Sequence, residues 1–158
     1  MKVSTVMTTD VSACVQDETL NEAARIMWER DCGVVPVLER RGDQKLAGVL
    51  TDRDICIAAY TTGQALKQIP IQQVMAKGVV CCRASDEVDA AERAMRQAQV
   101  HRLPVVDASD QLVGMLSLAD IARASARGHQ AGVTSIELGE TVAAIRRPRA
   151  AEHAYVAR

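Results

Sequence analysis

Gly48, Thr51 and Asp54, and again Gly114, Ser117 and Asp120, spell Gly-x-x-Ser/Thr-x-x-Asp twice in this chain. In each copy an apolar run ends at the hydroxyl residue and a helical pattern begins there, which predicts a strand-to-helix junction. The first backbone N–H groups of a helix lack intrahelical partners, and with the helix dipole they favour an anion. An ionised carboxylate accepts hydrogen bonds and donates none, so an Asp in the first turn suits the paired hydroxyls of a ribose. Phosphate at the helix start and sugar at the Asp describe a nucleotide. The competing reading is a plain cap, with Thr51 and Ser117 on backbone N–H groups and Asp54 and Asp120 on the dipole. Recurrence in register favours a ligand site.

His101-Arg102 stands just ahead of the apolar run Leu103-Pro104-Val105-Val106. A guanidinium can grip phosphate bidentately and an imidazole adds a donor, so the pair suits a di- or triphosphate; the alternative is a surface arginine beside a partly buried histidine. The first half has only Gly33-Val34 at this place, so the two sites are expected to be unequal. Arg53 and Lys77 are further cations near the same elements. An enzyme would use His101 as a general base oriented by Asp54 or Asp120. The chain has no Gly-x-Ser-x-Gly, no phosphate loop and no metal-ligand spacing, so no catalysis and no catalytic cofactor are expected.

These residues sit in an internal duplication. Residues 6 to 37 align on 74 to 105 at a shift of 68: Val6-Met7 with Val74-Met75, Cys14 with Cys82, Ala23 with Ala91, Met27 with Met95 and Pro36-Val37 with Pro104-Val105. A shorter loop then moves the shift to 66 and superimposes the two Gly-x-x-Ser/Thr-x-x-Asp motifs. Each copy reads as β-α-β-β-α. The first helices carry apolar residues at helical spacing (Leu20, Ala23, Ala24, Met27; Val88, Ala91, Met95), with Asp17 and Ser85 as expected caps. Strands are expected at Val34 to Leu38 and Leu46 to Thr51, and at Leu103 to Val106 and Leu112 to Ser117. Proline at 36 and 104 predicts edge positions. One copy leaves an apolar sheet face open, so two copies should pack sheet to sheet as a pair. The expected division is repeat 1 at 3–63, repeat 2 at 70–128, and a mobile or partner-docking tail at 129–158.

Composition narrows the function further. Lys and Arg number 19 against 20 Asp and Glu, a net charge of −1, which argues against a general nucleic-acid binder. The three aromatic residues, Trp28, Tyr60 and Tyr155, offer no base-stacking platform. No apolar run reaches membrane-span length and no signal-peptide core is evident, so a cytoplasmic protein without a membrane role is expected. The five cysteines form no C-x-x-C and read as reduced thiols.

The doubled pattern of Val-Met, capped helix, x-x-x-Pro-Val and Gly-x-x-Ser/Thr-x-x-Asp resembles a tandem pair of cystathionine-β-synthase (CBS) domains, a Bateman module. His101-Arg102-Leu103-Pro104-Val105-Val106-Asp107 and Gly114-Met115-Leu116-Ser117-Leu118-Ala119-Asp120 look particularly like the repeats of the AMP-activated kinase γ subunit. The likeness spans residues 3 to 127. It implies an α/β fold of two pseudo-symmetric repeats, a flat homodimer, and a regulatory ligand drawn from AMP, ADP, ATP, NAD or S-adenosylmethionine. It implies that Thr51 with Asp54, and Ser117 with Asp120, hold ribose and phosphate, and that His101 and Arg102 contact phosphate. Thr9 to Val11 and Lys77, Gly78 and Val79 would border the adenine, with Pro104 and Met115 also among the nucleotide-binding residues. The resemblance names no regulated partner. The rival reading is a ligand-independent dimerisation or adaptor module for a separate enzyme, transporter or nucleic acid, the last through Arg146, Arg147 and Arg149.

Overall fold

The computed structural model describes residues 1–126 and 133–147. In each repeat a two-residue strand is followed by a helix, two strands and a second helix: β1 (Cys14–Val15), α1 (Leu20–Glu29), β2 (Val34–Leu38), β3 (Leu46–Thr51) and α2 (Asp52–Thr62); then β4 (Cys82–Arg83), α3 (Val88–Ala98), β5 (Arg102–Val106), β6 (Leu112–Ser117) and α4 (Leu118–Ala126). Each sheet has three strands, in the order β1-β2-β3 and β4-β5-β6. The short first strand runs parallel to the middle one and the hairpin is antiparallel.

Two separate apolar clusters fill the repeats. In the first, Leu20, Ala23, Ile26 and Met27 of α1 meet Val35, Val37 and Leu50 of the sheet and Ile55 and Ala58 of α2. In the second, Val88, Ala91 and Met95 meet Leu103, Val105, Leu116 and Ile121. Pro36 and Leu38, and Pro104 and Val106, are buried on the opposite faces of β2 and β5 yet belong to neither cluster. The pair therefore packs sheet to sheet there. Leu112 N donates to Gln44 O at 2.7 Å, and Lys45 bridges to Gln111 where the hairpins begin.

Both prolines lie in central strands, where edges were expected. Their register explains this. Pro36 faces Val49 and Pro104 faces Met115, but Val49 directs its own N–H and C=O outward to Ala76, and Met115 directs its own to Thr8. The prolines thus occupy non-hydrogen-bonded pairs, where the missing N–H would point away from the hairpin partner. On that other side β1 and β4 reach only residues 37–38 and 105–106.

The repeats exchange their leading segments. Residues ahead of β1 pack on repeat 2: Val3 lies in the second core, Val3 N donates to Asp86 O, Val88 N to Met1 O, and Thr8 and Met115 exchange two bonds of 2.9 Å. Residues ahead of β4 pack on repeat 1 in the same way: Ile69, Ile71 and Met75 fill the first core, Ile71 N donates to Glu18 O and Leu20 N to Ile69 O, and Ala76 bonds Val49 twice. This exchange also corrects the expected caps. The first helices start at Leu20 and Val88, after Thr19 and Glu87, and neither of these gives a side-chain cap bond. A carbonyl of the exchanged segment takes the first N–H instead. Glu18 and Asp86 close the preceding turns by accepting from Val15 N and Arg83 N at 2.9 and 2.7 Å.

Where the sequence predicts a tail, residues Ser135–Ile145 form α5, which packs on α3 and α4 of the same chain. Val133 and Ile145 join the second core, and Thr141 Oγ1 donates to the buried carboxylate of Glu92. The expected role of Arg149 lies outside the described residues.

Candidate functional site

Both Gly-x-x-Ser/Thr-x-x-Asp motifs fall at strand-to-helix junctions. Thr51 ends β3 and Asp54 stands in the first turn of α2; Ser117 ends β6 and Asp120 stands in the first turn of α4. Each pair forms a reciprocal capping box. Asp54 Oδ2 accepts from Thr51 N and Thr51 Oγ1 at 2.9 and 2.7 Å, and Asp54 N donates back at 3.2 Å. Asp120 Oδ2 accepts from Ser117 N and Ser117 Oγ at 2.8 and 2.6 Å, and Asp120 N donates back at 3.1 Å. The capping reading therefore holds in both copies. It leaves room for a ligand, because a carboxylate offers about four lone-pair sites.

The glycines of the motif serve the segment exchange. A Cβ on Gly48 would lie 2.3 Å from the Ala76 carbonyl oxygen, and one on Gly114 would lie 2.7 Å from that of Thr8. Both close approaches are to backbone, so only glycine lets the exchanged segment dock on the strand.

In repeat 2 the cations join this junction. Arg102 pairs with Ser117 across β5 and β6, and Leu118 N donates to His101 O at 2.9 Å. Pro104 pairs with Met115, which holds Thr8. His101 and Arg102 are exposed. Partial desolvation of the ring, then Arg146 and Arg102, push the His101 imidazolium below the ordinary histidine range. Among the described residues Arg53, Lys77 and Arg102 enter no ion pair, whereas Arg25, Arg41, Arg83, Arg93 and Arg123 all do.

Repeat 1 is built differently at the same place. Asp52 N donates to Gly33 O at 3.1 Å, and a Cβ on Gly33 would sit 3.0 Å from Asp52 Oδ2. An acid therefore stands where repeat 2 has Leu118, and a basic pair is missing. Sequence reasoning overlooked one further difference: Arg123 pairs with Asp120 Oδ1, while the matching residue in repeat 1 is the exposed Ile57. The Asp-x-x-Arg spacing on a helix is the signal that would have found it. The Asp120 side chain is only 10% exposed beneath that arginine.

Thr9 and Val11 follow the Thr8–Met115 pairing, and Asp10 between them forms an ion pair with Arg30 at the end of α1. This connector therefore passes from the sheet of repeat 2 to repeat 1. Lys77, Gly78 and Val79 follow the Ala76–Val49 pairing and lead from repeat 1 into β4, with Gly78 at φ 65°. The structure brings His101, Arg102, Pro104, Met115, Ser117 and Asp120 together along β5, β6 and α4, and places Arg53 beside Thr51 and Asp54 at the start of α2. Among the described residues no group of His, Cys, Asp or Glu is arranged to hold a metal, and no helix is long and apolar enough to cross a membrane.

Comparison with known proteins places the fold. The CBS-pair protein CBSX2 of Arabidopsis thaliana, in its complex with AMP, has a similar fold over 82% of this chain and 98% of its own, at a TM-score of 0.70 and 23% identity. Homoserine O-acetyltransferase of Methanohalobium evestigatum is 31% identical over 77% of this chain, but the match occupies only 23% of that enzyme. CBS domain-containing protein YhcV of Bacillus subtilis (strain 168) is 36% identical over 120 residues, 76% of this chain and 82% of the relative. The CBS domain family itself matches twice, at residues 3–60 and 71–127, and the chain belongs to that family as a tandem pair.

Proposed function

We propose that this chain is a regulatory module, without catalysis of its own, that binds an adenosine nucleotide at the repeat 2 junction. The observation that carries the reading is the meeting of His101 and Arg102, which has no ion-pair partner among the described residues, with Ser117 and Asp120 at one helix N-terminus. The Arg102 guanidinium, the His101 ring and the helix dipole there suit phosphate, and the lone pair that Ser117 and Arg123 leave on Asp120 suits a ribose hydroxyl. Thr9 and Val11, and Lys77, Gly78 and Val79, border the base where the connectors pass between repeats. The bound AMP of CBSX2 supports the ligand class. At the repeat 1 junction, Thr51, Arg53 and Asp54 take a ligand with less phosphate charge, because Asp52 repels anions where repeat 2 has Leu118. Occupancy is read by a second copy of the chain or by a separate protein; the exposed Trp28 and Tyr60 on repeat 1 helices suit such a surface.

A thermal-shift panel of adenosine, AMP, ADP, ATP, NAD and S-adenosylmethionine tests the reading, since a ligand that binds only the folded state raises its stability. A rise with at least one adenosine compound, lost in Asp120→Ala, is expected. No shift with any compound overturns the reading.

A further inference from the structure

α5 lies outside both segments matched to the family, yet its C-terminal end is fixed beside the phosphate-side residues of repeat 2. Thr141 is bonded to buried Glu92 of α3, and Ile145 sits in the second core. Gln99 Nε2 donates to Ala144 O at 3.0 Å. Gln99 stands two residues ahead of His101, and Ala144 two ahead of Arg146, so this bond ties the turn bearing the histidine to the turn bearing the arginine. Arg146 is exposed and, like Arg102, makes no ion pair among the described residues. Partial desolvation, Arg146 and Arg102 all disfavour the charged form of His101, in that order. Arg102 and Arg146 lie near His101 with no ion-pair partner among the described residues, and their mutual repulsion is Coulomb energy that an arriving anion would recover. The carbonyls at the end of α5 favour Arg146 and repel an anion, so the side chain alone can serve as the donor.

The geometry points to Arg146 as a further ligand-binding residue of the repeat 2 site, donating to the outer phosphate of a nucleoside di- or triphosphate while His101 and Arg102 take the inner one. The assignment rests on the nucleotide reading above and deepens it by naming the charge class of the ligand. It also gives α5 a purpose beyond covering α3: the helix brings a phosphate contact that the two repeats lack.

Calorimetric titration of the full chain with adenosine, AMP, ADP and ATP tests this, using wild type, Arg146→Ala, Arg146→Lys and Arg147→Ala. Arg147 lines the groove between α3 and α5 with Arg96 and Glu140, so it controls for the loss of one charge. Arg146→Ala is expected to weaken ADP and ATP by about tenfold, as for one charge-assisted hydrogen bond. AMP and adenosine should stay within about twofold, with Arg146→Lys intermediate and Arg147→Ala close to wild type. If wild type binds AMP and ATP alike and Arg146→Ala changes neither, the nucleotide reading stands and the Arg146 assignment falls. If adenosine loses as much as ATP, or Arg147→Ala loses as much as Arg146→Ala, the role is structural or diffuse and the assignment is overturned. If wild type binds none of the four, the nucleotide reading itself fails and takes the assignment with it.

Discussion

Asp120 serves two roles through one carboxylate. Its Oδ2 closes the cap of α4 and its Oδ1 meets Arg123, so removing the side chain weakens fold and site together. Asp120→Asn separates them, because the amide oxygen can still accept from Ser117 N while the charge is gone. Nucleotide affinity is expected to fall by about tenfold in Asp120→Asn with a melting temperature close to wild type, whereas Asp120→Ala also loses about 1 kcal/mol of stability with the cap. Calorimetry and thermal melting on both variants check this. His101 supplies a pH test. Its folded-state pKa lies below the ordinary value, so as pH falls below about 6.5 the unfolded chain takes up the proton first and stability declines over that window. A bound phosphate favours the imidazolium and reverses the preference. Affinity for AMP measured from pH 7.5 down to 6 should therefore improve more in wild type than in His101→Gln, the comparison cancelling protonation of the phosphate itself; identical pH profiles would remove His101 from the site.

Among the elements, the β3 and β6 edges depend on glycine. Gly48→Ala must displace the Ala76 carbonyl and Gly114→Ala that of Thr8, and such overpacking costs on the order of 1–3 kcal/mol. The larger loss is expected at Gly48, where the approach is 2.3 Å against 2.7 Å, and chemical denaturation would rank the two. Gly139 is the counterexample: it lies within α5 with open space where a Cβ would stand, so Gly139→Ala is expected to stabilise by about 1 kcal/mol through helix propensity. The two hairpins, both capping motifs and the unequal junctions were legible in the sequence because the duplication displays each of them twice. The caps of α1 and α3 were not, since the carbonyls of Ile69 and Met1 that satisfy them come from distant segments. α5 was hidden for a related reason. Its buried face runs from Leu138 through Thr141 to Ile145, and the buried threonine bonded to Glu92 puts a polar residue in the middle of the stripe that periodicity reads.

For the molecule as a whole, the exchanged segments decide what can be cut. A fragment of residues 1–63 lacks Ile69, Ile71 and Met75 of the first core and is expected to be insoluble or to self-associate. A fragment of residues 9–76 restores those side chains and is expected to show more helix by circular dichroism, while still self-associating through the uncovered face of Pro36 and Leu38. Equal behaviour of the two fragments would mean that the exchange contributes little to stability. The exchange also orders assembly in time. Val49 and Ala76 are fewer than thirty residues apart, but Thr8 waits for Met115, more than a hundred residues further on. As the chain emerges from a ribosome, Val3, Val6 and Met7 are thus made long before their own berth exists, while the look-alike berth on repeat 1 is already open and its proper occupant, Val74-Met75, is still to come. The duplication that builds the fold therefore offers the leading segment a second, competing berth in the wrong half until repeat 2 has been made.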